Sequence, residues 1–211
     1  MIVHVFAAGA MMTNCYVVSC EQTQEAIVID PGFDERSEGE NAFKVIDERG
    51  LKMKFILNTH GHPDHTCGNG IVKDRFHIPI LVHECDKHML GTSGETIARF
   101  FGFKHSSPPA DRLLSDEDAV SFGRVRLRVM HTPGHSRGSI SLLGQKEVFT
   151  GDTLFMGSIG RTDFPDSSET DINDSLKKLA RLPESFVVYP GHGPETSIGK
   201  EKENNPFLRF L

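Results

Sequence analysis

Four times along this chain an apolar run of strand-like composition ends in a turn with glycine or proline, and a histidine or aspartate stands just beyond. Lys54–Leu57 leads to His60, Val125–Met130 to His135, Val148–Thr150 to Asp152 and Phe186–Tyr189 to His192. Strands that deliver such residues at their ends can converge on one edge of a packed pair of sheets, a rigid scaffold presenting functional loops. The first junction is dense: Thr59-His60-Gly61-His62-Pro63-Asp64-His65. A fold compatible with this chain has to bring four distant segments together at one place.

The rest of the pattern fits such a fold. At 211 residues the chain suits one well-buried domain spanning residues 1–211, with no repeat or long linker to divide it. Strands are expected over Ile2–Phe6, Cys15–Ser19 and Ala26–Ile29, followed by the turn Asp30-Pro31-Gly32. A helix from about Ser37 to Arg49 should close at Gly50, and another should run from near Thr66 to just before His77. Strand Ile80–Val82 precedes a Gly-, Ser-, Phe- and Pro-rich stretch, Gly91–Ala110, read as a long loop with a short helical piece. Strands return at Ala119–Phe122, Val125–Met130, Ser139–Leu142 and Val148–Thr150, then a helix near Glu169–Ala180 and the strand Phe186–Tyr189. β-rich, α, β-rich, α suggests two packed sheets with helices outside.

Charge removes several classes of function. A net charge of −6 with no dense Lys/Arg block argues against nucleic acid and against an anionic membrane surface. Met1–Ala10 lacks the basic and apolar regions of a signal peptide, and no apolar run spans a bilayer. Cys15, Cys20, Cys67 and Cys85 form no C-x-x-C pair, so reduced thiols and a cytoplasmic location are expected. The oligomeric state stays open, and a monomer is admissible.

The histidines and aspartates at the four junctions are ligand-type residues. His60 and His62 sit two apart and need a distant third ligand to close on one ion, for which His135 is the natural candidate. Asp64 and His65 would bind a second ion with His192, and the carboxylate of Asp152 can bridge both. Imidazole and carboxylate without thiolate suit divalent transition metals, zinc first, with iron and manganese also fitting. Two such ions about 3.5–4 Å apart hold a hydroxide at neutral pH and polarise a carbonyl. His4, His77, His83, His88 and His105 read as ordinary structural or surface residues, and His131 as a packing residue.

This constellation resembles the metallo-β-lactamase superfamily, whose H-x-H-x-D-H hallmark is met by His60 to His65. Asp30-Pro31-Gly32, Thr132-Pro133-Gly134-His135-Ser136, Thr150-Gly151-Asp152-Thr153 and Pro190-Gly191-His192-Gly193 extend the resemblance over essentially the whole chain. It implies an α/β, four-layer αββα sandwich, two mixed sheets with helices outside, and a binuclear site between the sheet edges. It also implies the same division of ligands, with Asp30 close by as a hydrogen-bond acceptor.

Gly160-Arg161-Thr162-Asp163-Phe164-Pro165 and Asn205-Pro206-Phe207-Leu208 look like the compact bacterial glyoxalase II-like hydrolases. That branch implies cleavage of a small-molecule thioester such as S-lactoylglutathione by a hydroxide held between the ions. Asp152 is then the bridge, and Asp64 a candidate acceptor for the water's proton. The chain departs from full-length glyoxalase II in ending before the helical glutathione-binding domain. Arg161 stands where a lysine is expected, with no tyrosine nearby. Arg161 is thus either a bidentate anchor for a substrate carboxylate or a solvated, paired arginine. Cys67, near an expected helix N-terminus, reads as a buried bystander with a reactive thiol as the alternative. Phe100-Phe101-Gly102-Phe103 reads as a cleft wall.

A persulfide dioxygenase would use one iron on residues matching His60, His135 and Asp152, and a lactone hydrolase would share the ligand set. Pro190-Gly191-His192-Gly193-Pro194 favours the hydrolase version of the last loop. β-Lactam hydrolysis is less expected, because Asp152 stands where the commonest lactamase class has a cysteine.

Overall fold

Alternation along each strand sorts the apolar side chains to opposite faces and so decides the layers. A computed structural model describes residues 1–209. The first sheet takes β1 (Ile2–Ala8), β2 (Thr13–Ser19), β3 (Glu25–Ile29), β4 (Lys52–Leu57), β5 (Ile80–His83) and β6 (Arg112–Leu114) side by side. β1, β2 and β3 run antiparallel, and β3 to β6 run parallel. The second half supplies β7 (Ala119–Phe122), β8 (Val125–His131), β9 (Ile140–Leu143), β10 (Glu147–Gly151), the small hairpin β11 (Leu154–Phe155) and β12 (Ser158–Ile159), β13 (Val187–Pro190) and β14 (Thr196–Ser197). The second sheet has the order β14-β13-β10-β9-β8-β7.

Between the sheets, Tyr16, Val18, Ile27, Ile29, Phe55 and Leu57 meet Phe122, Leu127, Val129, Ile140, Leu142 and Phe149. The alternate residues of the same strands point the other way. Val17, Val28 and Ile56 pack under α1 (Glu40–Glu48), through Phe43 and Ile46, and Val72 joins them from α3 (Asn69–Phe76); short α2 (Pro63–Thr66) lies between the two in sequence. On the outer face of the second sheet, Leu143, Val148 and Val188 pack against Leu176 and Leu179 of α5 (Glu169–Ala180) and Ile198 of α6 (Ile198–Asn204). α4 (Thr92–Phe100) precedes β6. The result is the expected four-layer αββα sandwich.

Strand direction brings the junctions together. β3 and β4 are parallel, so Asp30 and Thr59-His60 leave the sheet at the same edge. β8 and β10 are each antiparallel to β9, and β13 is parallel to β10, so His135, Asp152 and His192 also leave at one edge. An isolated bridge between Thr13 and His192 ties these two edges together.

Several elements differ from their expected form. The first helix opens as a 3₁₀ turn, Arg36–Gly39, before α1, and Gly50 closes it with φ +59°. The helix expected from near Thr66 to before His77 is α3, starting at Asn69, and an unexpected single turn, α2, precedes it across a break at Cys67-Gly68. A Cβ on Gly68 would fall 2.4 Å from the Pro31 carbonyl oxygen, so the break is a close approach that only glycine permits. In Gly91–Ala110 the helical piece is nine residues long, and the extended loop begins only after Phe100. β6, β11, β12, β14 and α6 have too little apolar periodicity to be visible. α6 is built instead on polar contacts: Ser197 caps it by accepting from the Lys200 amide, and buried Glu201 accepts from Thr196, Gly157 and Asn205.

Candidate metal centre

All seven ligand-type residues meet at the shared sheet edge. Donor atoms of His60, His62 and His135, of His60, His65 and Asp152, and of Asp64, His65 and His192 lie within 4.8 Å of one another in each set. His62 Nδ1 is 2.8 Å from His135 Nε2, and His65 Nε2 is 3.3 Å from His192 Nε2. Nitrogens bound about 2.0–2.1 Å from a tetrahedral ion stand about 3.3 Å apart, the edge length of that tetrahedron. The Asp152 carboxylate lies between the sets, 3.2 Å from His65 Nε2 by Oδ1 and 3.5 Å from both His135 and His192 Nε2 by Oδ2. Asp64 Oδ2 is 3.2 Å from His192 Nε2.

Every ring but that of His62 is fixed from behind. His65 Nδ1 meets Asp30 Oδ2 at 3.0 Å, His135 Nδ1 the Arg161 carbonyl at 3.0 Å, and His192 Nδ1 the Met11 carbonyl at 3.1 Å. An acceptor behind Nδ1 places the proton there and turns the Nε2 lone pair inward. His60 follows at one remove: Thr59 Oγ1 donates to Asp30 Oδ2 at 2.6 Å and so accepts from His60 Nδ1 at 3.1 Å. His62 is reversed, with Nδ1 inward and Nε2 3.9 Å from Asp166 Oδ2.

The inward atoms are short of partners. His60 Nε2 and Asp152 Oδ1 are buried with no hydrogen-bond partner among the described residues. Buried lone pairs facing one another are costly unless a cation lies between them. The donor set therefore fits divalent ions on chemistry as well as on distance. Gly191 completes the fit, because a Cβ there would sit 2.1 Å from Asp152 Oδ1.

Electrostatics divide the rings. Burial, then the neighbouring imidazoles, holds His60 well below the usual histidine range, and burial with His135 beside it lowers His62 to about 4. These two stay neutral, as ligands must. Burial would also lower His65 and His192, yet the carboxylates of Asp152 and Asp64 outweigh it and raise both. Burial would raise Asp64 and Asp152, and the surrounding imidazoles, His65 foremost, hold both below the ordinary carboxylate range.

Residues that no motif advertised support these ligands. Asp86 is fully buried and accepts from the amides of Gly61 and Gly138 and from Ser136 Oγ, locking the first histidine loop to the His135 loop. Thr59 orients His60 as described, while Asp166 stands 3.9 Å from His62 Nε2 without a hydrogen bond to it. Such positioning residues carry no spacing rule, and only the Asp30-Pro31-Gly32 turn gave a sequence signal for one of them. His131 stacks on His83 at 4.3 Å, away from the centre. Cys67 is buried, and burial pushes its thiol up, so the reactive-thiol alternative fails.

A cleft of about 320 Å³ opens over the centre, walled by Met11, Phe101, Phe103, Phe155, Ile159 and Phe164, with Arg161 at its side. Arg161 pairs in bidentate fashion with Asp163 at 2.8 Å and stacks over the Phe164 ring at 4.6 Å. A larger hollow of about 560 Å³ beside Arg124, Arg126 and Phe186 holds none of the ligand-type residues.

Residues 8–192 match the Metallo-beta-lactamase superfamily. The chain belongs to that superfamily. It is 34% identical to a hydroxyacylglutathione hydrolase, GloC, of Haemophilus influenzae over 98% of this chain and 97% of that one. Among solved structures, the B3 metallo-beta-lactamase BLEG-1 superposes with a TM-score of 0.88 at 37% identity, covering 98% of this chain and 99% of that one. TTHA1623, solved in a di-iron-bound form, gives 0.85 at 33% identity over 97% of this chain and all of that one. The chain is accordingly a member of a metallo-hydrolase superfamily with a histidine-rich site suited to divalent metals.

Proposed function

We propose that this protein is a two-metal hydrolase that cleaves a small-molecule thioester of the S-lactoylglutathione kind. His60, His62 and His135 would hold one ion, Asp64, His65 and His192 the other, and Asp152 both. The observation that carries the reading is the back-side fixing of His60, His65, His135 and His192 together, which prepares both halves of the centre to the same standard. Ions held there supply an activated water at neutral pH and polarise the scissile carbonyl. Asp64 would be the candidate acceptor for the water's proton, and Asp152 would keep the two halves in register. Arg161 would meet a carboxylate of the thiol carrier after exchanging its partner Asp163. Zinc suits the donor set best, and iron or manganese are compatible with it. The cytoplasm is the compartment we infer, since all four cysteines are free and three are buried.

A single-iron dioxygenase needs only His60, His135 and Asp152, and would leave the fixed pair His65 and His192 without a use. The likeness to BLEG-1 favours β-lactam hydrolysis as the second reading. A panel of S-lactoylglutathione, a homoserine lactone, glutathione persulfide and a β-lactam tests all of these. The proposal expects the highest kcat/KM on the thioester and no oxygen uptake with persulfide. A higher kcat/KM on the lactam or lactone, or oxygen consumption, overturns it.

A further inference from the structure

The cleft over the metal centre is not closed on all sides. A second hollow of about 410 Å³ lies beside it, walled by Met89, Thr96, Ile97, Phe100 and Pro165, and the two hollows share His62, Phe101 and Phe164. Its volume falls in the range of about 300–1,000 Å³ over which clefts hold small ligands. The Phe101 and Phe164 rings, 6.1 Å apart and edge-to-face at 89°, form the partition. Phe100 is 84% exposed and Phe101 42% exposed at this opening. Large aromatic side chains left in water beside a cavity mark a surface that a ligand covers.

The two sides of the partition differ in chemistry. Arg161 lines the cleft only, stacked on Phe164. The side chamber is mostly apolar, with His62, His88, Thr96 and Asp166 as its polar members. Asp166 turns its buried Oδ2 toward His62 Nε2 at 3.9 Å. A thioester reacting beside His62 has an anionic carrier on one side of its carbonyl and an acyl group on the other. The cation suits the carrier, which leaves the chamber across the shared wall for the acyl group.

We infer that this side chamber binds the acyl group of the substrate, and that the enzyme prefers thioesters of medium-length or aromatic acyl groups over small hydroxyacyl ones. This rests on the thioester reading given above. Each methylene moved from water into the chamber raises kcat/KM about fourfold, the rate equivalent of burying one CH₂ group.

The test compares acetyl-, lactoyl-, hexanoyl- and phenylacetyl-glutathione as substrates of the metal-loaded protein. In parallel, S-methyl- and S-hexylglutathione, thioethers that cannot be hydrolysed, are titrated calorimetrically. Thr96→Trp, an exposed position on α4, fills the chamber from its mouth, and Phe100→Ser removes part of its wall. The expected result is a kcat/KM that climbs from acetyl to hexanoyl and tighter binding of S-hexyl- than S-methylglutathione. Thr96→Trp should lower both the hexanoyl-to-acetyl ratio and the S-hexyl preference by at least about tenfold, and Phe100→Ser by a smaller factor. Turnover that ignores acyl size, or an acyl preference unmoved by Thr96→Trp, overturns the chamber and leaves the thioester reading standing. Chain-length-dependent thioether binding without turnover of any thioester overturns that reading and leaves the chamber standing. A dimer that Phe100→Ser dissociates, with acyl preference unchanged, assigns the exposed aromatics to a second copy of the chain and overturns the inference.

Discussion

Asp30→Asn removes one charge and almost no volume, yet it should disturb both halves of the metal centre. The Asp30 carboxylate accepts from the Thr59 amide at 2.8 Å by Oδ1, and from Thr59 Oγ1 at 2.6 Å and His65 Nδ1 at 3.0 Å by Oδ2. All three partners are donors. An asparagine amide set at either oxygen position therefore places a donor against a donor. With the amide at the Oδ2 position, the Thr59 hydroxyl must turn its proton toward His60 Nδ1, 3.1 Å away. His60 and His65 are then both driven to carry their protons on Nε2, where the ions belong. Backbone strain does not confuse the result, because Asp30 has φ +48° and asparagine tolerates that region. Loss of an outer partner of a ligating histidine costs about 10- to 100-fold in metal affinity, or about 1.4–2.7 kcal/mol. The metal-free protein should also lose about 2 kcal/mol, the worth of a buried hydrogen bond to a charge. Zinc titration by competition with a chromophoric chelator and urea unfolding of the stripped protein measure the two effects. An Asp30→Asn protein that binds zinc with the parent affinity would show that the carboxylate does not set the ring tautomers.

Three further outcomes follow from the same geometry. Asp152→Ala should lower thioester turnover more than about 100-fold, beyond the range seen for outer partners of ligands, while circular dichroism stays that of the parent; turnover at the parent rate would refute its bridging role. His65 and His192 hold their protons more firmly than ordinary histidines, so an ion must displace those protons to reach Nε2. Metal affinity should therefore rise with pH from neutrality upward, by at most about tenfold per pH unit for each proton released, and calorimetry in buffers of different ionisation enthalpy should register the release. A buffer-independent heat would contradict it. Gly68→Ala should destabilise the fold by about 1–3 kcal/mol, because the added methyl meets the Pro31 carbonyl at 2.4 Å and the Phe33 ring at 2.9 Å; urea unfolding at the parent midpoint would refute that contact.

The ligand-type residues were legible because each junction follows an apolar strand within a few residues, and strands running the same way carry their ends to one edge. Asp30 was legible for the same reason, as the turn after β3. Asp86 and Thr59 were not. Their partners lie 25 residues away for Asp86 and Gly61 but in the next residue for Thr59 and His60, so no common spacing marks them. The apolar elements were located to within a few residues, whereas α6 rests on a cap and on buried Glu201 and offers no hydrophobic stripe to read. Arg161 shows the limit of residue type as a guide. Its guanidinium both pairs with Asp163 and lines the cleft, and the sequence could name either use but not their coexistence. The phenylalanine cluster divides in space as it could not in sequence, with Phe103 on the cleft, Phe100 on the side chamber and Phe101 between them.

The two-ion centre is tested most directly by counting metal. Stripped protein reloaded with zinc, freed of excess by gel filtration and analysed by plasma mass spectrometry together with amino-acid analysis should hold two ions per chain. His192→Ala should hold one. A parent protein that retains a single ion, or none, contradicts the convergence of the four turns on a pair of cations.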